Sequence, residues 1–141
     1  MGHATRLTIA IMDRNPHVRE LMCREFAALG HAAQAVQTKA EVLRLLAGPE
    51  LPQVLVLDPE ALGSGLQEIS ARVAALAGRL TTVLHVYAED PVQPVLPGAM
   101  LVEKEAHLGP LKILVERIAQ GTFPAAAGCS GTSQGVSGQG A

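Results

Sequence analysis

Two short apolar runs with no charge inside them, Leu7 to Met12 and Val54 to Leu57, constrain this chain more than any other feature. Runs of this length, rich in β-branched residues, suit strands buried on both faces of a parallel sheet, where neither face can show a polar side chain to water. A strand covered on both sides needs helices on both sides, and the intervening stretches supply them. Pro16 suits the first turn of a helix, and Val18, Leu21, Met22, Phe26 and Leu29 recur at helical spacing until Gly30 stops it. His31 to Val36 reads as a second strand. Thr38 is placed to cap a short helix carrying Ala40, Val42, Leu43 and Leu46, ended by Gly48-Pro49.

The same alternation continues through the second half. After a glycine-containing loop, Leu66, Ile69, Val73 and Leu76 mark a helix that stops near Gly78. Thr81 to Val86 and Met100 to Glu103 read as the fourth and fifth strands. Pro110 opens a last helix with Leu111, Ile113, Leu114, Val115 and Ile118, too dense for one stripe, so one flank is expected to be a contact surface. From Gly121 onward the chain is almost entirely Gly, Ala, Ser, Thr and Gln. Phe123 and Val136 are its bulky apolar residues, too few to offset the entropy of ordering it, so residues 121–141 are expected to be a disordered tail behind one domain over 1–120. The expected fold is α/β, a doubly wound five-stranded parallel sheet. In such a sheet the active groups gather at the carboxyl edge of the strands. Asp13, Asp58, Tyr87 and Lys104 each follow a different strand at that edge.

Charge and composition remove several classes of function. A formal charge of −2 over 141 residues gives no positive field for nucleic acid or for an anionic membrane surface. No stretch approaches the length of a membrane span, the N-terminus lacks the apolar run of a signal peptide, and a soluble cytoplasmic protein is expected. Cys23 in a helical pattern and Cys129 in the tail make a poor disulfide and are expected to be free thiols. Neither His17 nor His85 belongs to a cluster with metal-ligand spacing. His17 is expected on a helix surface and His85 partly buried in a strand. A flavodoxin-like cofactor enzyme would need ring-stacking aromatics and a phosphate-cradling loop. The chain has two Phe, one Tyr and no Trp, and Gly63-Ser64-Gly65 fits neither a dinucleotide nor a P-loop pattern.

The segments IMDRNPHVRELM with Asp13, VLVLDPEALGSGL with Asp58 and LVEKEAHLGPL with Lys104 are similar to the three signature regions of response-regulator receiver domains of bacterial two-component systems. The resemblance runs from about Arg6 to Gln120. It implies the flavodoxin-like receiver architecture and a phosphorelay role in which Asp58 accepts a phosphoryl group from a histidine kinase or phosphotransfer protein. Enzyme activity is then at most self-phosphorylation and dephosphorylation on aspartate. The resemblance makes Lys104 the ammonium that neutralises the incoming oxygens, and it implies Mg²⁺ held by Asp13, Asp58 and the backbone carbonyl of Glu60. The plainer reading of Asp58 is a helix cap, and that of Lys104 a surface ion pair with Glu103 or Glu105.

Departures from the family pattern bear on function as much as the matches. Arg14 stands where receivers have a second acidic residue, and it either weakens the metal site by repulsion or replaces part of the metal's charge with its guanidinium. Tyr87 stands where a small Ser or Thr moves on activation; its phenol can donate a hydrogen bond or fill the pocket. Leu101 replaces an aromatic switch residue, and Glu105 the proline after the lysine. The connection AEDPVQPVLPGAM holds Pro91, Pro94 and Pro97, which cannot share one regular helix, so the fourth helix of the family is expected to be reduced. Two functions follow. One is a phosphoacceptor receiver acting through Asp58. The other is a pseudo-receiver that binds proteins independently of phosphorylation, with a downstream protein on the remodelled surface from Tyr87 to Gln120.

Overall fold

The structure is a computed structural model that describes residues 5–90, 96 and 98–121. Five strands form one parallel sheet: β1 (Thr8–Met12), β2 (Ala32–Ala35), β3 (Val54–Leu57), β4 (Thr81–Val86) and β5 (Met100–Glu103). Their order is β2-β1-β3-β4-β5. Helices α1 (Pro16–Ala28), α2 (Lys39–Ala47), α3 (Leu66–Ala75) and α4 (Gly109–Gln120) cover the two faces, and two short 3₁₀ turns, Pro59–Ala61 and Gly63–Gly65, carry the chain from β3 into α3. The expected α/β doubly wound sheet is therefore the fold observed. The glycine loop expected after Asp58 is wound into 3₁₀ turns.

Alternation along the strands explains why they read as continuous apolar runs. Ile9 and Ile11 of β1 face one way, with Val54 and Val56 of β3 and Val83 of β4, and pack on Met22 and Phe26 of α1 and Leu111 and Val115 of α4. Ala10, Met12, Leu55, Leu57 and Leu84 face the other way, onto Val42 and Leu46 of α2 and Ile69 and Val73 of α3. Each central strand thus feeds two cores, and period two disappears from its sequence because both faces are dry. Among the described residues no helix is long and apolar enough to cross a membrane.

Local chemistry sets the element ends. Asn15 caps α1 by accepting from the His17 backbone N–H, ahead of Pro16 in the first turn. Thr38 and Glu41 form a reciprocal capping box at the start of α2, a cap of the kind worth about 1 kcal/mol. At the end of α4, Gly121 takes a left-handed φ of 72°, which a residue with a side chain adopts only at a cost. The tail expected beyond Gly121, and the reduced helix expected around Pro91, Pro94 and Pro97, lie outside the described residues, as does Cys129. Cys23 is half-buried and unbridged.

A polar tie closes the edge remote from the carboxyl ends of the strands. His31, only 5% exposed, accepts the Leu7 backbone N–H at Nδ1 (3.1 Å) and meets Glu116 of α4 through Nε2 at 2.9 Å. The tautomer with its proton on Nε2 satisfies both contacts. Beside it, the Thr5 backbone N–H donates to the Ala119 carbonyl at 2.9 Å. Phe26, fully buried against β1, β3 and α4, is the largest side chain of its core. Phe26→Ala is expected to lower unfolding free energy by about 3–5 kcal/mol in urea titration, because α1 and α4 cannot both collapse into the vacated space.

Candidate functional site

The strand order reverses between β1 and β3: the chain leaves β1 toward β2 on one side and returns to β3 on the other. A crevice opens at that switch point, outside the carboxyl ends of the strands. Asp13 follows β1 and Asp58 follows β3, and the Asp58 backbone N–H donates to the Met12 carbonyl at 2.9 Å, so the two acids are locked side by side. Lys104 follows β5. Its backbone N–H donates to the Val86 carbonyl, extending the β4–β5 ladder by one residue and fixing the lysine next to Tyr87 without the family's proline. The structure thus brings Asp13, Arg14, Asp58, Tyr87 and Lys104 together.

Asp58 is the centre of the cluster and is fully buried. Its Oδ1 accepts from Arg14 Nη2 (2.8 Å) and from the Glu60 backbone N–H (3.1 Å). Its Oδ2 accepts from Arg14 Nε (2.7 Å), the Arg14 backbone N–H (3.1 Å) and Lys104 Nζ (3.0 Å). A carboxylate offers about four lone-pair positions, so these five donors leave none open. The Glu60 contact is the cap of the 3₁₀ turn Pro59–Ala61, so Asp58 is a helix cap and a site carboxylate at once. Glu60 enters this network through its N–H.

Lys104, 8% exposed, points inward and reaches Asp13 Oδ2 at 2.9 Å as well as Asp58. The contact to Asp13 is an ion pair without hydrogen-bond geometry, since Asp13 Oδ2 has no hydrogen-bond partner. Asp13 Oδ1 accepts the Asn15 N–H (2.9 Å), and Arg19 Nη1 holds the Asp13 carbonyl (2.7 Å), which shapes the turn from β1 into α1. The surface ion pair with Glu103 or Glu105 considered for Lys104 is not what the lysine makes.

Arg14 also reaches outward. Its Nη2 meets Asp90 Oδ2 at 2.8 Å and its Nη1 meets Asp90 Oδ1 at 3.4 Å. Asp90 Oδ2 in turn accepts the Tyr87 backbone N–H (3.0 Å). The Tyr87 ring faces both cations, 4.6 Å from Lys104 Nζ and 5.4 Å from Arg14 Cζ, with the residue 38% exposed. Contacts of this kind contribute about 0.5–1 kcal/mol each when partly exposed. Tyr87 therefore roofs the pocket. Sequence reasoning missed Asp90; an acid three residues beyond Tyr87, in a turn at the same sheet edge, was the available signal.

Burial would by itself push the Asp58 carboxyl upward. Hydrogen bonds from the Arg14 side chain and backbone and from Lys104 outweigh it and hold its pKa down at about 2. The same bond to Asp58 raises the Arg14 guanidinium further above its ordinary range. His85, two residues on from Val83 and so on the α1 and α4 side, is 3% exposed and its Nδ1 has no partner. Burial first, then the Lys104 charge, pushes its pKa down to about 4. It is buried more deeply than its sequence suggested, whereas His17 is exposed as expected.

The donor set does not fit a divalent cation as it stands. Mg²⁺ takes carboxylate and carbonyl oxygens into its own shell, and the Asp58 oxygens are already bound to N–H donors. No group of three or more His, Cys, Asp and Glu among the described residues is placed to hold a metal ion.

No protein-family model and no curated protein matches the chain. Solved structures do. The response regulator protein TrrA from Thermotoga maritima, solved in complex with Mg²⁺-BeF, is similar at a TM-score of 0.64 and 20% identity, over 79% of this chain and 98% of that one. A structure of the histidine kinase ThkA in complex with TrrA matches at a TM-score of 0.62 and 20% identity, over 79% of this chain and 97% of the matched chain. The CheY-like response regulator receiver domain from Methylobacillus flagellatus gives a TM-score of 0.65 at 13% identity, over 81% and 99%. At these identities the likeness is one of fold, and the fold is that of receiver domains.

The two buried depressed groups, His85 and Asp58, make the folded state sensitive to acid in the same direction. His85 has a folded pKa below its ordinary 6.5, so its contribution is present above that pH and is lost as pH falls from about 6.5 to about 4. Asp58, depressed from 3.8 to about 2, adds a second loss between those values. Urea titrations across this range are expected to show stability falling in both windows. His85→Leu should flatten the upper window and leave the lower one.

Proposed function

We propose that this receiver-fold chain is a signalling module that binds proteins independently of phosphorylation, with Asp58 held in a fixed, charge-compensated state. The observation that carries this reading is the saturation of the Asp58 carboxylate: two oxygens, five donors, three of them from Arg14. A nucleophilic carboxylate needs a free lone pair aimed at phosphorus, and here each is spent on a hydrogen bond. Arg14 and Lys104 already set two positive charges against the two carboxylates Asp13 and Asp58. Asp58 then acts as a structural keystone of the crevice.

A phosphoacceptor role is the second reading, and the convergence of Asp13, Asp58 and Lys104 at one sheet edge favours it. For that role Arg14 must leave Asp58 before the acid can attack, which breaks a bidentate ion pair and the contact to Asp90 in the same movement. Self-phosphorylation is therefore disfavoured by the geometry that the first reading explains.

The proposed contact surface runs from Tyr87 to Gln120. Leu101 on β5 is 68% exposed and Ile113 on α4 is 59% exposed, so the strand at the sheet edge and the flank of the last helix both show apolar side chains to water. Leu101 points outward, in keeping with an exposed contact residue rather than an inward-swinging switch. The complex of TrrA with ThkA supports a histidine kinase as one class of partner. Nucleic acid and membrane are not part of this reading, and a cytoplasmic location is.

Intact mass after incubation with acetyl phosphate, with and without Mg²⁺, tests the proposal. No phosphate adduct is expected on the wild type under either condition, and Asp58→Asn is expected to remain folded by circular dichroism. An adduct that forms on the wild type and vanishes in Asp58→Asn would hand the function to the phosphorelay reading.

A further inference from the structure

The position of Arg14 has a chemical consequence for what the crevice can bind. Its planar guanidinium lies across the open side of Asp58, with Nε on Oδ2 at 2.7 Å and Nη2 on Oδ1 at 2.8 Å, the fork geometry in which arginine holds a carboxylate most firmly. Its outer edge is gripped by Asp90, again through two contacts, at 2.8 and 3.4 Å. Asp90 is itself fixed, since its N–H donates to the Tyr87 carbonyl (3.1 Å) and its Oδ2 accepts the Tyr87 N–H (3.0 Å). The guanidinium is thus clamped between a buried carboxylate and a turn.

We infer that Arg14 is the crevice's built-in cation, that Asp90 is the positioning residue that keeps it there, and that together they exclude divalent metal from Asp58. A divalent ion needs at least one Asp58 oxygen and several further oxygens or waters around it. To obtain them it must displace a charge-assisted bidentate pair, break the Arg14–Asp90 contact with it, and then sit beside a guanidinium that no accessible pH can neutralise. The Glu60 N–H takes a further position on Oδ1, which a metal at that oxygen would have to share. Asp13 alone remains as a carboxylate ligand, with one oxygen at Lys104 and the other on the Asn15 N–H. Part of the charge that Mg²⁺ would bring is present as covalent structure, and Asp90, outside the three family segments, is what holds it in place.

The inference rests on the same Arg14–Asp58 contact as the proposed function, but the two fail differently. A phosphate adduct formed on Asp58 without Mg²⁺ would overturn the phosphorylation-independent reading and leave metal exclusion intact. Binding of Mg²⁺ by the wild type through Asp58 would do the reverse.

The test is titration with Mg²⁺ to about 10 mM, a range that reaches weak carboxylate sites, reading Tm and tyrosine emission. Tyr87 is the one tyrosine of the chain, which has no tryptophan, so emission reports from the roof of the crevice. The wild type is expected to show no response that depends on Asp58. Arg14→Asp is expected to gain a saturable rise in Tm of about 4 °C or more, lost again when Asp58→Ala is added. Asp90→Asn is expected to show a Mg²⁺ response too, at about tenfold higher concentration because Arg14 still competes, and Asp90→Glu should restore exclusion. An Asp58-dependent Mg²⁺ response in the wild type would overturn the inference, as would a folded Arg14→Asp that gains none. If Arg14→Asp does not fold, Asp90→Asn decides alone: a Mg²⁺ response supports the clamp, and none removes Asp90 from it.

Discussion

A carboxylate at the end of a strand buried on both faces cannot be left to water, and the rest of the crevice follows from that. Asp58 is fully buried, so its charge has to be met by donors that arrive from elsewhere in the chain. They come from the turn after β1 as Arg14, from the edge strand as Lys104 and from its own 3₁₀ turn as the Glu60 N–H. Each donor is rigidly placed, by the β1–β3 contact, by the extended β4–β5 ladder and by the capped turn respectively. Charge compensation and backbone geometry are here one arrangement.

Much of the fold was legible because its signals are local and agree with one another. Val54 to Leu57 has no polar residue to tolerate on either face and could be read as a central strand from four letters. Thr38 followed by Glu41 announces a capped helix whatever surrounds it. Met100 to Glu103 was found at its observed bounds, although it is an edge strand with half of its side chains exposed. His31 to Val36 was read one residue too long at each end. His31 stays outside the strand because its backbone N–H donates to the Phe26 carbonyl of α1 (3.0 Å), and no short-range pattern encodes the partner of its ring, 85 positions away.

The candidate site was legible in membership but not in direction. Asp13, Asp58, Tyr87 and Lys104 could be collected at one sheet edge from strand ends alone, and Arg14 came in through the family resemblance. Whether Arg14 repelled a metal or took its place depended on where its side chain turned, which is a tertiary fact. Asp90 was overlooked because a lone acid in a turn has no periodicity: its place just past a strand end was a weak signal, and its meaning comes from Arg14. The depth of His85 was likewise hidden: a polar residue in a strand looks half-exposed until the helix that covers it is known, and α1 and α4 cover this one.

The opposite end of the sheet is organised around closure of the chain upon itself. The Thr5 N–H bonded to the Ala119 carbonyl puts Thr5 within one hydrogen bond of the end of α4, with His31 bridging β1 to the same helix close by. Residues 5 and 119 therefore lie together, on the side remote from Asp58. A unit with this topology behaves like a bead on a closed loop. It can be spliced into a host sequence, or opened at a new terminus and rejoined through a short linker across residues 5 and 119, with the crevice left untouched.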